Sequence, residues 1–477
     1  MIELPRPVEA DDVSNLSWWQ HDLRAAQSLA CAPPLAGTVN VDFVIIGGGF
    51  TGLWTAMTIK ERMPSAGVAV LEAYRCGAGA SSRNGGSVHG YWSALSVLTD
   101  LFGPDKAIEV ARLGTKAQHK LREFANSTDR DIWWSEQGYL RVATNTRQQL
   151  KADVCIETAR RLGVPETVVK LRKDELDHYC ASPFFKDGLF FPEGATVHPA
   201  RLAESLRCAA ERAEIGIFES TLVTAIDKGD PLRIHTLGGE VIARSVILAT
   251  YTGTMTIPAV RASNALFSSF PVMSHPDEAA LTRMNYRDAR GIADLRMFAH
   301  YFRRTRDGRV LMGTGAGPVG YGVAHNSRAL RRDQASADRA ALGLQRFFPT
   351  LPPGVAAAWG FPIEVSADRL PYFGRVPGTR IFYGSGYTGH GVNATCIAGE
   401  CLASLALGQS DEWSTSVFCN RKQVRFPSEP FRCFGGRAIR SSIVACEDAE
   451  DAGRPSPPLA RLLATAPSVF NLKIGTR

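Results

Sequence analysis

The sequence predicts a mixed α/β protein of the α+β kind, with a parallel strand–helix–strand unit near its start and antiparallel strands further on. Three observations carry that prediction. Residues 41–72 hold an apolar strand, a glycine-rich turn, a helix and a second strand. Strand-sized apolar runs return at 215–250 and 294–313, after a mostly helical stretch from about 105 to 180. At 477 residues the chain is long enough for two or more domain-sized units, or two interleaved ones.

Composition narrows the class. With 45% hydrophobic, 21% charged and 9% aromatic residues, the chain is neither disordered, nor collagenous, nor a disulfide-built mini-protein. Lys and Arg number 54 against 47 Asp and Glu, a net charge of +7. Over this length that bias is too thin for a surface that coats nucleic acid. No apolar run approaches the ~18 residues of a membrane span, and the start of the chain lacks the basic-then-apolar order of a secretory signal. The 10 cysteines are scattered with no Cys-x-x-Cys pair, so they read as reduced thiols of a cytoplasmic protein, with no metal cage.

The elements follow in order. Residues 1–37 form an irregular arm ended by Pro33, Pro34 and Gly37, and Trp18 and Trp19 predict that part of it packs on the body. Residues 41–46 read as a buried parallel strand. The helix after the glycine turn runs to about Met63 and Pro64, and 68–71 is a second strand with Glu72 at its end. A strand at 138–143 interrupts the helical stretch. In the 294–313 block, strands 294–304 and 309–313 flank Asp307 and Gly308, a hairpin signal. A last strand at 380–383 meets a second glycine turn and a helix from about Asn393 to Leu407. Beyond Gly408 the chain is proline-rich and charged, which predicts a wrapping tail over 411–477.

The pattern G-x-G-x-x-G occurs three times, at Gly47/Gly49/Gly52, Gly315/Gly317/Gly320 and Gly384/Gly386/Gly389. Only the first has a strand before it, a helix after it and an acid, Glu72, at the end of the next strand. Its glycines let the backbone approach a pyrophosphate that the helix N-terminus stabilises, and Glu72 can accept from a ribose hydroxyl. This is a dinucleotide site. The second match holds Pro318 and is a loop. The third opens a helix but lacks the ribose half. It is either an ordinary strand–helix turn or a helix start that stabilises the negative charge of a reduced flavin.

The residues from Gly47 to Trp54, then Glu72, then Gly77 to Gly86, resemble the flavin-dependent amine oxidases of the D-amino-acid-oxidase superfamily, in the gamma-glutamylputrescine-oxidoreductase-like branch. Gly386 to Val392, with Ala398 and Gly399, resembles that family's C-terminal flavin motif. Trp18-Trp19, Leu248-Ala249-Thr250, Trp359-Gly360 and Asp368 to Gly374 also fit. The likeness runs from about residue 17 to 440 and weakens through 255–295.

The resemblance implies a Rossmann-like FAD-binding domain of the glutathione-reductase type from 38–100, 190–258 and 358–410. An interleaved substrate domain on a mixed or antiparallel sheet would come from 101–189 and 259–357. By motif position, Gly47, Gly49, Phe50, Thr51 and Gly52 would hold the pyrophosphate, and Glu72 and Ala73 the adenosine ribose. Ser81, Ser82, Arg83, Asn84, Gly85 and Gly86 would run beside the phosphates and isoalloxazine. Val223 would contact adenine, Thr250 would adjoin the cofactor, and Gly386, Tyr387, Thr388, Gly389, His390 and Gly391 would hold the pyrimidine end. Some relatives attach flavin through a cysteine just before the segment matching 368–371. Residues 360–367 hold none, so FAD is expected to be non-covalent, with Cys76 and Cys396 the thiols that leave an alternative open.

The implied chemistry is removal of hydride from a carbon beside an amine nitrogen, giving an imine that hydrolyses to an aldehyde or keto product. Electrons would pass to O2, giving peroxide, or to a quinone or carrier protein. Positioning and a neutral amine suffice, and no strong base is required. Strand alternation in 294–304 puts Arg296, Phe298, His300, Phe302 and Arg304 on one face and Leu295, Met297, Ala299, Tyr301 and Arg303 on the other. This wall would offer His300 or Tyr301, with an arginine such as Arg303 for a substrate carboxylate. His89 and Tyr91 are further pocket candidates, whereas His198 suits a helix cap. No lysine lies between Lys228 and Lys422, which excludes an oxygen-activating lysine from 259–357. A nucleic-acid-modifying flavoprotein is the remaining alternative, and only Arg303-Arg304 and Arg331-Arg332 hint at the basic runs it needs.

Overall fold

Phe43 to Ile46 are four apolar residues in a row, a pattern that needs cover on both faces of a strand. The computed structural model, which describes residues 1–9, 13–27 and 29–467, supplies it. Phe43 and Ile45 enter a core with the helices, while Val44 and Ile46 enter a second core on the opposite face. Their strand, Gly37–Ile46, pairs in parallel with Gly239–Leu248 on one side and Val68–Leu71 on the other. Further strands extend this into a nine-stranded sheet. Gly216–Phe218 closes one edge, Ile381–Ser385 pairs in parallel with Gly239–Leu248, and the antiparallel ribbon Val223–Asp227 and Leu232–Thr236 leads to the short strand Ile2–Glu3.

A second, eight-stranded mixed sheet runs in the order Ala357–Ala358, Val272–Met273, Val310–Thr314, His300–Arg304, Gly291–Asp294, Tyr139–Ala143, Asp187–Phe191, Val169–Arg172. Its Leu140, Ile292, Phe302 and Met312 pack on Phe347 and Phe348 at the end of helix Gln334–Phe347. Gly308, at a φ of +74°, makes the turn between strands His300–Arg304 and Val310–Thr314. No helix among the described residues is long and apolar enough to cross a membrane.

Four sequence expectations need correction. The arm over residues 1–37 is not irregular throughout: it holds strand Ile2–Glu3 and helix Trp18–Ala26, whose Ser17 side chain accepts the Gln20 N–H as an N-cap. The block 294–304 is two strands, Gly291–Asp294 and His300–Arg304, joined by a loop at 295–299. The Asp294 carboxylate causes the break: it accepts the backbone N–H groups of Arg296 (3.2 Å) and His300 (3.1 Å) and faces His300 Nδ1 at 3.0 Å. A side chain that caps its own downstream backbone competes with the ladder. The strict alternation of facing residues therefore fails between 295 and 299. The stretch before residue 180 also carries an unforeseen strand, Val169–Arg172.

The tail is more ordered than a proline-rich strap. It contains the 21-residue helix Phe431–Asp451 and the helix Pro458–Thr465, which pack Ile443, Cys446 and Ala464 against Phe298 and Ala316. Within the arm and tail, residues 10–12, 28 and 468–477 lie outside the described residues.

Asp294→Ala should lower stability by about 3 kcal/mol, because it leaves the buried His300 Nδ1 without its carboxylate, takes one of two carboxylates from Arg296 and releases the loop. Denaturant unfolding of the variant beside the wild type measures this.

Candidate active site

Gly47 has a φ of +109°, and a Cβ there would stand 2.5 Å from Ala249 O. A Cβ on Gly52 would meet Gly47 O at 1.9 Å. The first glycine turn thus folds tightly onto the sheet end, and helix Phe50–Arg62 starts with Gly49 as an N-cap that lends no side chain. Ser81 Oγ accepts the Phe50 N–H at 2.9 Å. The next donors of the first turn, on Thr51 and Gly52, have no intrahelical acceptor. Glu72 is half-buried at the end of its strand and accepts from Gly48 N–H (2.7 Å) and Tyr74 N–H (3.0 Å). Burial pushes its carboxyl above the ordinary range, against the pull of those donors.

The second glycine turn is held from beneath. Glu364, on strand Phe361–Ser366, accepts the Gly386 N–H at 2.8 Å and the Ser385 hydroxyl at 2.7 Å. Its own carbonyl accepts the Thr388 N–H at 3.1 Å. Burial raises the Glu364 carboxyl to about 8. The two turns meet directly: Thr51 Oγ1 and the Tyr387 hydroxyl are 2.7 Å apart.

Both turns line one cavity of about 1160 Å³, more than the ~300–1,000 Å³ of a single small-molecule site. Gly47, Gly49, Phe50, Thr51, Glu72, Ala73, Ser81, Arg83, Asn84, Gly85, Gly86, Val223 and Thr250 line it, as do Tyr387, Thr388, Gly389, His390 and Gly391. Gly52, Ser82 and Gly386 stand just behind the wall: Gly52 under Gly47, Ser82 with its carbonyl taken by the Ser17 hydroxyl, Gly386 on Glu364.

Of the four residues expected to do chemistry, two face the cavity and two do not. Tyr301 lines it, packed over Gly85 with its hydroxyl 2.9 Å from Ser269 Oγ. His89 lines it, stacked on Tyr139 at 4.7 Å and edge-on to His390 at 5.6 Å. His300 points to the opposite face of the sheet, onto Phe347 and Asp294. Arg303 donates to Gly86 O (3.2 Å) and Val197 O (2.8 Å) and stacks on Trp19, so it braces the 83–86 turn. Tyr91 lines the cavity too, and His198 caps its helix by accepting the Arg201 N–H.

The structure adds residues that pattern reading passed over. Arg141, inside strand Tyr139–Ala143, and Arg369, at a φ of +65°, both line the cavity. Arg141 donates to Asp294 O at 3.2 Å, and Arg369 reaches only Met297 Sδ at 3.7 Å. Neither has a carboxylate partner among the described residues. Burial lowers the Arg369 guanidinium below its ordinary range, and the Arg141 charge adds to this. An arginine amid an apolar strand was the available signal for Arg141. Arg369 sat within a quoted motif without a role. Loop residues 295–299 also line the cavity, and Lys151 does so from helix Thr146–Arg161, donating to Leu295 O.

The sequence pattern of the FAD dependent oxidoreductase family matches residues 42–405. The chain belongs to that family. It is an enzyme, with FAD as its cofactor. The chain is 29% identical over 427 residues to gamma-glutamylputrescine oxidoreductase of Escherichia coli (strain K12), covering 88% of this chain and 94% of that one. Against the probable oxidoreductase OrdL of Haemophilus influenzae, identity is 26% over 422 residues, 86% of this chain and 90% of that one. Glycine oxidase from Geobacillus kaustophilus shares the fold at a TM-score of 0.66 and 20% identity, covering 81% of this chain and all of that one. L-proline dehydrogenase from P. horikoshii does so at 0.63 and 16%, over 79% of this chain and 96% of that one.

The residues of this FAD-dependent oxidoreductase fit the cofactor. The glycine cradle at Gly47 and Gly52 leaves backbone bare where a pyrophosphate approaches. Thr250 Oγ1 is buried in the cavity wall with no partner among the described residues. The cavity also keeps room beyond the glycine turns, among Arg141, Arg369, His89 and Tyr301.

Glu364 makes stability pH-dependent. Its folded value of about 8 lies above its ordinary 4.5, so the native state holds the proton more tightly than the unfolded chain. The native state should therefore lose stability as pH climbs from about 4.5 to 8 and level off above, by on the order of a few kcal/mol. Glu364→Gln should flatten that decline, which thermal melts of both proteins across this range will measure.

Proposed function

We propose that this oxidoreductase oxidises a C–N bond of an amine or amino acid that carries a carboxylate, with O2 as electron acceptor and hydrogen peroxide as co-product. The observation that carries the reading is the pair Arg141 and Arg369, two half-buried guanidinium groups without a carboxylate partner among the described residues, in the same cavity as both glycine turns. A buried cation is stable only with compensation, and a substrate carboxylate supplies it through charge-assisted hydrogen bonds. The names of the relatives, an oxidoreductase of gamma-glutamylputrescine among them, support an amine.

His89 and His390 place the amine. His89 Nδ1 faces Gly90 O at 3.3 Å and His390 Nδ1 faces Thr388 O at 2.9 Å. A carbonyl oxygen can only accept, so each Nδ1 carries the proton and each Nε2 is left with a lone pair. The cavity wall desolvates both rings, although His390 is open to the cavity, which lowers His89 to about 4 and His390 to about 3, and the Arg141 charge beside His89 and the Arg369 charge beside His390 act the same way. Such a site disfavours an ammonium and favours the free amine, whose N–H can donate to Nε2 while its nitrogen lone pair stays available. FAD held by the two glycine turns would supply the hydride acceptor for the carbon beside that nitrogen, and the imine left on the substrate would hydrolyse to a carbonyl compound. Tyr301 and the 295–299 loop wall off the substrate side.

Anaerobic mixing with a panel of amines should bleach the flavin fastest for those bearing a carboxylate. Arg141→Met and Arg369→Met should each weaken half-saturation about 100-fold with a smaller change in the limiting bleaching rate. Bleaching by uncharged amines alone, unaffected by either substitution, would refute the reading. Peroxide formed in step with amine consumption checks the acceptor, and its absence with quinone turnover would point to a dehydrogenase.

With both histidines neutral above pH ~5, the pH profile of bleaching should rise only with deprotonation of the amine itself. A limb between pH 6 and 7 that His89→Asn removes would instead make His89 a titrating base.

A further inference from the structure

The cavity has a wall that neither glycine motif accounts for. Strand Ile2–Glu3 pairs antiparallel with Val223–Asp227, with Ile2 opposite Ile226 and Glu3 opposite Ala225. The Leu4 N–H donates to Thr224 O at 3.2 Å, so the chain travels along its partner strand toward Val223. There it leaves the sheet edge. Leu4, Pro5, Pro7 and Val8 line the cavity, together with Val223, Tyr251 and Gly253. Val8 is buried, and Pro5 Cγ lies 3.9 Å from where a Gly253 Cβ would stand.

Past the sheet, side chains from 325–326 hold this segment. His325 Nε2 donates to Arg6 O at 2.7 Å, and Asn326 Nδ2 donates to Pro7 O at 2.9 Å. The Glu9 N–H donates to Asn326 Oδ1 at 3.2 Å, and Glu9 pairs with Arg331 at 2.7 Å. Pro5 and Pro7 suit the place, having no N–H to satisfy and little backbone freedom to lose. A segment that only covered a sheet edge would stop at Leu4. This one continues for four residues over the cavity.

His325 supplies a second, independent sign of a ligand. It is 3% exposed and lines the cavity, and its Nδ1 has no partner among the described residues. Because Nε2 donates to Arg6 O, Nδ1 presents a lone pair. A buried unpaired acceptor is costly, and a nucleoside offers matching donors in its exocyclic amine and ribose hydroxyls.

We infer that residues 4–8, buckled by His325 and Asn326, close the adenosine end of the FAD site, with His325 Nδ1 accepting a hydrogen bond from the nucleoside. The apolar side chains cover the purine face, and the buckle sets how readily the cofactor leaves. The inference rests on FAD lying with its adenosine at the Val223 end and is independent of the amine reading.

The test titrates FAD, ADP and FMN onto apoprotein prepared from the wild type, from a chain lacking residues 1–8 and from His325→Phe. Flavin fluorescence reports FAD and FMN, and calorimetry reports ADP. Both variants should bind FAD and ADP roughly 10- to 100-fold more weakly, with FMN affinity and the melting temperature of the apoprotein unchanged. FAD and ADP affinities within about twofold of wild type would overturn the inference. So would weakened FAD with unaltered ADP, which places the strap on another part of the cofactor and leaves FAD binding itself intact. Should the shortened chain fail to fold, His325→Phe alone decides by the same criteria.

Discussion

The hydrogen bond between Thr51 and Tyr387 joins two turns that are 336 residues apart in sequence, and the site depends on that closure. Neither turn could hold its place alone. Each opens a helix, and the two helices, Phe50–Arg62 and Gly391–Leu407, lie against each other with most of their residues buried. Gly399 makes the approach possible, since a Cβ there would meet the Trp54 Cβ at 2.7 Å. Strand Ile381–Ser385 pairs with Gly239–Leu248, itself beside Gly37–Ile46, so the strands feeding the two turns belong to one parallel array. Both turns therefore emerge at the same end of one sheet, where ligands of parallel α/β sheets bind.

Around that closure the charges fall into two groups. Arg303 is held by two backbone carbonyls and an indole face, and Arg296 is paired with Asp294 and Asp451. These arginines are structural. Arg141 and Arg369 share the same neighbourhood without a carboxylate partner among the described residues, and the imidazoles beside them have lowered pKa values. The difference separates cations paired within the fold from cations that face the cavity without a carboxylate, and identity alone could not have drawn it. The same criterion marks His325 at the far end of the cavity, where one nitrogen is used and the other is not.

Much of the nucleotide half was legible because its function is performed by the backbone. A strand, three glycines, a helix and a terminal acid state their geometry in residue types, and Gly47, Gly52 and Glu72 stand where that geometry needs them. The substrate half was not legible, because there side chains from distant strands decide. Period-two alternation placed His300 and Tyr301 on opposite faces correctly, yet could not say which face met the cavity. It failed outright at 295–299, where the Asp294 carboxylate ends the strand by capping the backbone beyond it. Helix Phe431–Asp451 escaped notice because Gly435, Gly436, Ser441 and Ser442 weaken its propensity. It is held by tertiary contacts at Phe298 and Ala316 instead.

That late helix explains how the 295–299 wall of the cavity is built. Glu447 accepts the Met297 N–H at 2.7 Å, Asp451 pairs with Arg296 and Arg346, and Ile443 and Cys446 pack beside Phe298. Met297 in turn touches Arg369. A loop whose ladder has been broken needs another scaffold, and the helix provides it from the far end of the chain. The position of Arg369 is thereby tied, through one thioether and one backbone amide, to a carboxylate about 80 residues later in sequence. This wall of the cavity is held by a segment that lies outside the 42–405 family pattern.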